Sequence, residues 1–193
     1  MTASDIKIDQ LSKVDSSDAE YLISRIRSIP DFPSKGVLFR DYLPLMADAK
    51  GLQVLMNALE AALPVPADSF DAIAGLEARG FLCGPILAAR LNKGFVAVRK
   101  AGKLPPATIS ESYTLEYGQA SIEIEDTAVS PGQRVLIFDD LIATGGTAQA
   151  AARLIARSGG TVAGYSFVME LEGLGGIEQL GDYPCSSLVT MPA

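Results

Sequence analysis

Val135-Leu136-Ile137-Phe138-Asp139-Asp140-Leu141-Ile142-Ala143-Thr144-Gly145-Gly146-Thr147-Ala148 is the stretch from which the rest of the chain can be read. Four consecutive apolar residues, Val135 to Phe138, have the character of a parallel strand buried on both faces. Two carboxylates follow at once, and the expectation is that neither stays in the core. The segment Ala143-Thr144-Gly145-Gly146-Thr147 then leads into an Ala-rich run to about Arg157, so the order is strand, glycine turn, helix N-terminus. Such a turn gathers several backbone N–H groups and the positive end of a helix dipole in one small volume, where a phosphate is the natural guest. Thr144 and Thr147 offer further donors, and the two glycines let the backbone approach the anion closely. Two aspartates beside a phosphate repel it unless something lies between. Ribose hydroxyls or a hydrated divalent cation can, so the stretch suits a ribose 5-phosphate better than a bare phosphate. It lacks the Gly-Lys-Ser/Thr ending of a nucleoside-triphosphate loop and the spacing of the dinucleotide G-x-G-x-x-G.

Composition narrows the chemistry. The 193 residues suit one domain, and 48% apolar content is ordinary for an α/β protein. No run approaches a membrane span and the first twenty residues are polar, so a cytoplasmic protein without a membrane partner is expected. Cys83 and Cys185 are far apart and are expected to be free thiols. A net charge of −7 argues against a nucleic-acid partner. The chain has no histidine, which removes His bases, Ser-His-Asp triads and His-ligated zinc.

Outward from the key stretch, the same strand–turn–helix rhythm repeats. Phe70 to Ala74 reads as a strand, Gly75 to Gly80 as a loop, Phe81 to Leu91 as a helix and Gly94 to Val98 as a strand, while Val162 to Met169 follows the Gly159-Gly160 helix stop. Alternation of this kind implies a parallel sheet with ligands beyond the carboxyl ends of its strands. Thr108–Glu116 and Gln119–Ile124 read as a projecting hairpin. Before the first strand, residues 1 to about 16 look like a loosely held arm. Ser17-Asp18-Ala19-Glu20 has capping-box spacing, and Leu22, Ile23, Ile26 and Ile29 repeat at helical intervals up to Pro30. Val37 to Asp41 looks extended, and Ala49 to Leu63 is a second amphipathic helix. The first 50 or so residues are therefore a candidate hood over the active edge of a single domain, with about 99–126 as a flexible hairpin loop.

Three further segments could carry chemistry. Gly75-Leu76-Glu77-Ala78-Arg79-Gly80-Phe81 puts an arginine in a second anion-binding turn, although an ion pair with Glu77 would equally occupy it. Arg99, Lys100 and Lys103 supply local positive charge that the composition otherwise lacks, or else form a solvated basic turn. Glu116, between Leu115 and Tyr117 at the hairpin tip, is either an exposed turn residue or an acid–base group delivered by a closing lid.

Taken together the chain resembles the type I phosphoribosyltransferases, and within them the adenine phosphoribosyltransferases. The likeness rests on Arg27 to Pro33, Gly36 to Asp41, Ala78 to Phe81, Arg99-Lys100 with Lys103 to Pro105, Tyr113 to Gly118 and Asp139 to Thr147, in order, and covers roughly Ile26 to Leu180. It implies a mostly parallel central sheet flanked by helices, a projecting hairpin and a small N-terminal hood. It also implies a purine-salvage reaction in which adenine and 5-phosphoribosyl 1-pyrophosphate (PRPP) give AMP and pyrophosphate, with Mg2+ held mainly by PRPP and water near Asp139, in a homodimer. Carried onto this sequence, Asp139 and Asp140 would hold the ribose, Ala143, Thr144, Gly145, Gly146 and Thr147 the 5-phosphate, and Arg79, Arg99, Lys100 and Lys103 the pyrophosphate. Glu116 would handle the purine N7 proton beside Tyr117, with Arg79 as the other catalytic group. Leu38, Phe39, Arg40 and Leu141 would form the adenine pocket. Pro106 and Glu77 stand where the family usually has Gly and Asp, and Gly175-Gly176-Ile177 replaces a more polar pattern, so no role is carried to that last region. Another base, or a non-catalytic PRPP-binding regulator, is the alternative reading; the acidic composition offers the regulator no nucleic-acid face.

Overall fold

The structure, a computed structural model, describes residues 5–8, 13–115 and 118–193. The chain opens with β1 (Lys7–Ile8) and α1 (Ser16–Arg25), then β2 (Arg27–Pro30), β3 (Leu38–Asp41), the single turn α2 (Leu43–Met46) and α3 (Ala49–Ala61). The repeating part follows: β4 (Ala72–Leu76), α4 (Gly80–Arg90), β5 (Gly94–Lys100), the hairpin β6 (Thr108–Leu115) and β7 (Gly118–Glu125), then β8 (Arg134–Ile142), α5 (Gly146–Arg157), β9 (Thr161–Glu172) and β10 (Cys185–Pro192).

Eight strands form one sheet in the order β1-β10-β9-β8-β4-β5-β7-β6, with β10, β9, β8, β4 and β5 parallel and the outer strands antiparallel. The centre is β8, whose side chains alternate between two hydrophobic layers. Leu136 and Phe138 join the layer built with α1, α3 and α4, while Val135 and Ile137 join the layer under α5. A strand covered on both faces has no polar alternation, which is why it stood out as an apolar run. The loops beyond β4, β5 and β8 therefore share one edge, the carboxyl edge of the parallel strands.

Three local expectations are corrected. The N-terminal arm is not loose in its described part, since β1 pairs antiparallel with β10 and Ile6, Ile8 and Val14 are buried. The first helix is capped by Asp15, whose carboxylate accepts the Ser17 N–H at 2.9 Å, not by Ser17. It also stops at Arg25, and Ile29 lies in β2 opposite Phe39 of β3. An apolar repeat of four residues cannot tell helix from strand at its end, and pairing with β3 decides the matter. The hairpin forms as expected; it joins the sheet at the end of β5, where Arg99 lies opposite Glu123 and Lys100 opposite Ile122, and the Ala101 N–H donates to the Ser121 carbonyl at 3.0 Å. Among the described residues no helix is long and apolar enough to cross a membrane.

Candidate active site

Strand β8 runs on through the acid pair to Ile142, in register with β9 as far as Glu170, so the two aspartates are strand residues on opposite sides of the chain. Asp139 is half-buried on the wall of a cavity of about 180 Å³. The rest of that wall is the continuous run Leu141 to Ala148, closed behind by Leu76 and Phe167. Asp140 departs from expectation: it is buried, at 3% exposure, and its Oδ2 lies 2.6 Å from Arg79 Nε. A carboxylate can stay inside when a guanidinium comes with it. Burial, then the charge of Asp140, holds the Asp139 carboxyl well above the usual range; burial also raises Asp140, against the opposing pull of Arg79.

The turn itself is built by Gly145, which caps α5 at φ +82°, a conformation that side-chain-bearing residues rarely adopt. No side chain caps α5, so the first amides of the helix are left for a ligand on the cavity side. Thr144 is exposed, and Thr147 is half-buried with Oγ1 donating to the Tyr113 hydroxyl at 3.2 Å, which ties the hairpin to this turn. Ala143, Thr144, Gly145, Gly146 and Thr147 are thus brought together with Asp139 around one cavity.

The second turn places Arg79 between the acid pair and the hood. Its guanidinium carbon lies 5.6 Å from the centroid of the Phe39 ring, and its carbonyl accepts the Tyr42 hydroxyl at 3.4 Å. The alternative ion pair with Glu77 does not form; Arg79 pairs with Asp140 instead. Glu77 pairs with Arg99, at 3.1 and 3.3 Å, and accepts the Lys100 N–H at 2.8 Å, which holds its carboxyl below the usual range. Arg99 also donates to the Lys103 carbonyl at 3.0 Å, so its guanidinium braces its own loop; Lys100 and Lys103 are the exposed cations there. Sequence reasoning missed Glu123, a buried carboxylate on β7. Burial raises its pKa, but the N–H groups of Leu104, Lys103 and Gly102 outweigh that and lower it overall. A Glu alternating with Ile122 and Ile124 looks like an outward strand position, and nothing local announces its loop partners.

The hood residues split between two faces of β3. Leu38, Phe39 and Leu141 are half-buried, and Phe39 meets Phe32 edge-on at 5.2 Å between centroids. Arg40 is not available to a base through its side chain. Its guanidinium is buried and donates to Ser28 Oγ at 2.6 Å, to Asp5 Oδ2 at 2.7 Å and to the Pro192 carbonyl at 3.4 Å. Alternation along β3 explains this: if Phe39 faces the site, Arg40 must face the sheet. Glu116 and Tyr117 lie outside the described residues, between β6 and β7.

A parallel sheet with an amide-lined turn, an adjacent acid and an arginine turn on the same edge defines a phosphoribosyltransferase domain, and residues 61–171 match the phosphoribosyl transferase domain family. The full 193 residues align at 68% identity with the whole of the adenine phosphoribosyltransferase of Bifidobacterium longum subsp. infantis. The crystal structure of the Rhodothermus marinus adenine phosphoribosyltransferase superimposes with a TM-score of 0.85 at 43% identity, over 92% of this chain and 100% of that one. The Saccharomyces cerevisiae enzyme, solved with an imino-altritol bisphosphate and adenine, gives 0.82 at 44% identity over 90% and 99%. The chain belongs to the adenine phosphoribosyltransferase family.

Proposed function

We propose that this chain transfers the phosphoribosyl group of PRPP to N9 of adenine, forming AMP and releasing pyrophosphate. One observation carries the reading: Asp139 and the amide-bearing turn Ala143–Thr147 share a single cavity, with Arg79 reached through Asp140 and Phe39 beyond it. The 5-phosphate sits on the turn and the ribose hydroxyls donate to Asp139. As N9 bonds to C1′ and the C1′–oxygen bond to pyrophosphate breaks, positive charge on the sugar is stabilised by the carboxylate side of the site and negative charge on the leaving group by cations. Arg79 is the nearest cation; pyrophosphate competes with Asp140 for it. Lys100 and Lys103 add to the same field, from this chain or across a homodimer, while Arg99 holds their loop in shape. Leu38, Phe39 and Leu141 bound the base, and the main chain of β3 reads its exocyclic amine. Glu116, with Tyr117 beside it, takes the purine N7 proton.

The donor set suits a hard divalent ion brought in by the substrate. Asp139 is an oxygen ligand on the cavity wall, Asp140 is committed to Arg79, and the described residues form no three-carboxylate cluster that would hold a cation unaided. Mg2+ bound by PRPP and water near Asp139 would neutralise pyrophosphate charge. A cytoplasmic location fits this chemistry.

Labelled adenine incubated with PRPP and magnesium should yield AMP, and hypoxanthine in competition should be used far less, because its 6-oxo group accepts where the amine donates. A preference for hypoxanthine would overturn the base assignment. Folded protein that binds PRPP but forms no nucleotide from any base would favour the regulator.

A further inference from the structure

The turn Gly173–Gly176, after β9, packs its backbone directly onto the phosphate turn. A Cβ on Gly176 would lie 2.3 Å from the Ala143 carbonyl oxygen, 3.0 Å from its carbon and 2.8 Å from Ile142 Cγ1. The contact is reciprocal, since a Cβ on Gly145 would lie 2.6 Å from the Gly176 carbonyl oxygen. Neither loop can move toward the other, and a side chain at Gly176 must push Ala143 toward the cavity or the whole turn aside. A second tie holds the two together beyond the glycines: Gln149, in the first turn of α5, donates to the carbonyl of Gln179, and Leu180 is buried in the layer beneath α5.

The geometry points to Gly176 as a positioning residue that sets the shape of the 5-phosphate cradle from behind, touching the turn and never the substrate. The inference rests on the proposed seat of the phosphate at Ala143–Thr147. Its effect is confined to ligands that carry that phosphate, which a merely structural role would not predict.

Calorimetric binding of ribose 5-phosphate, and separately of pyrophosphate with magnesium, tests it. Gly176→Ala should raise the Kd for ribose 5-phosphate by about tenfold or more, the scale expected when a binding group is misplaced by a fraction of an ångström, with the pyrophosphate Kd changed by less than about twofold. Gln149→Ala, which cuts the tie without adding bulk, should raise the ribose 5-phosphate Kd by about threefold and decides the question if the glycine variant fails to fold. Unchanged ribose 5-phosphate binding in a folded Gly176→Ala protein, or equal losses for both ligands, overturns the role. Thr147→Val separates the two levels of the reading: if it too leaves ribose 5-phosphate binding intact, the phosphate seat itself is misassigned.

Discussion

In the proposed phosphate turn the cavity is lined by consecutive residues, Leu141 to Ala148, placed by one strand and one helix. In the hood the strand itself is held by a side chain whose partners come from remote parts of the chain: Arg40 of β3 reaches Asp5, Ser28 and the Pro192 carbonyl at once. The difference teaches where precision comes from. A main-chain cradle inherits the rigidity of the central sheet, whereas the hood is only as well placed as the few polar ties that fasten its two strands.

Arg79 is the link between the two regions, so its loss should do the most damage. Arg79→Ala should lower kcat/KM by about 10²–10³, removing the nearest cation from the leaving group and leaving Asp140 as a buried, unpaired acid. Steady-state kinetics with melting curves separate the two contributions; an intact rate would dissolve the link. Asp139→Asn tests the phosphate side alone. PRPP binding should weaken about tenfold while the protein becomes more stable at neutral pH. A carboxyl whose folded pKa is raised binds its proton more tightly in the native state, so stability falls as pH climbs from the unfolded value through the folded one. Removing the acid abolishes that loss, and Tm at pH 7 should rise by about 2–4 °C, the shift that ~1 kcal/mol produces at this chain length. A lower Tm would show that Asp139 is stabilised as an anion by something else.

Asp5→Ala addresses the hood. Because Asp5 is more than a third exposed, the ion pair is discounted and the cost to stability is about 1 kcal/mol, but the KM for adenine should rise about threefold with that for PRPP unchanged. Equal changes in both would mean that the hood and the phosphate turn move as one body. The smallest effect is a control far from either region. Asp71, held down to about 2 by Arg134, contributes stability that is present above its unfolded value of 3.8 and is lost as pH falls through about 2. In an acid titration the parent should exceed Asp71→Asn in stability by a constant margin above 3.8, and that margin should vanish as pH falls through about 2.

Legibility in the sequence follows the same division. The order of strand, turn and helix at the Asp139 corner is encoded within fourteen consecutive residues, and the structure keeps that order while carrying the strand on through both acids to Ile142. The burial of Asp140 is illegible because its partner, Arg79, lies far earlier in the chain; a carboxylate following an apolar run says nothing about which cation will enter the core with it. The direction of the Arg40 side chain is illegible for the complementary reason. Its motif neighbours mark a ligand pocket, yet strand alternation sends its side chain to the opposite face, toward residues near both ends of the chain. Gly176 carried no recognisable signal, because a residue chosen for having no side chain leaves only backbone distances as its trace.

The pairing of β1 with β10 joins residues 7 and 8 to residues 190 and 189. During synthesis β1 must therefore wait, its apolar Ile6 and Ile8 without the β10 partner, until residues 185–192 have left the ribosome. An N-terminal strand thus docks on one made more than 170 residues later, and the Arg40 guanidinium that steadies the hood gains its Pro192 partner only when that later strand is in place.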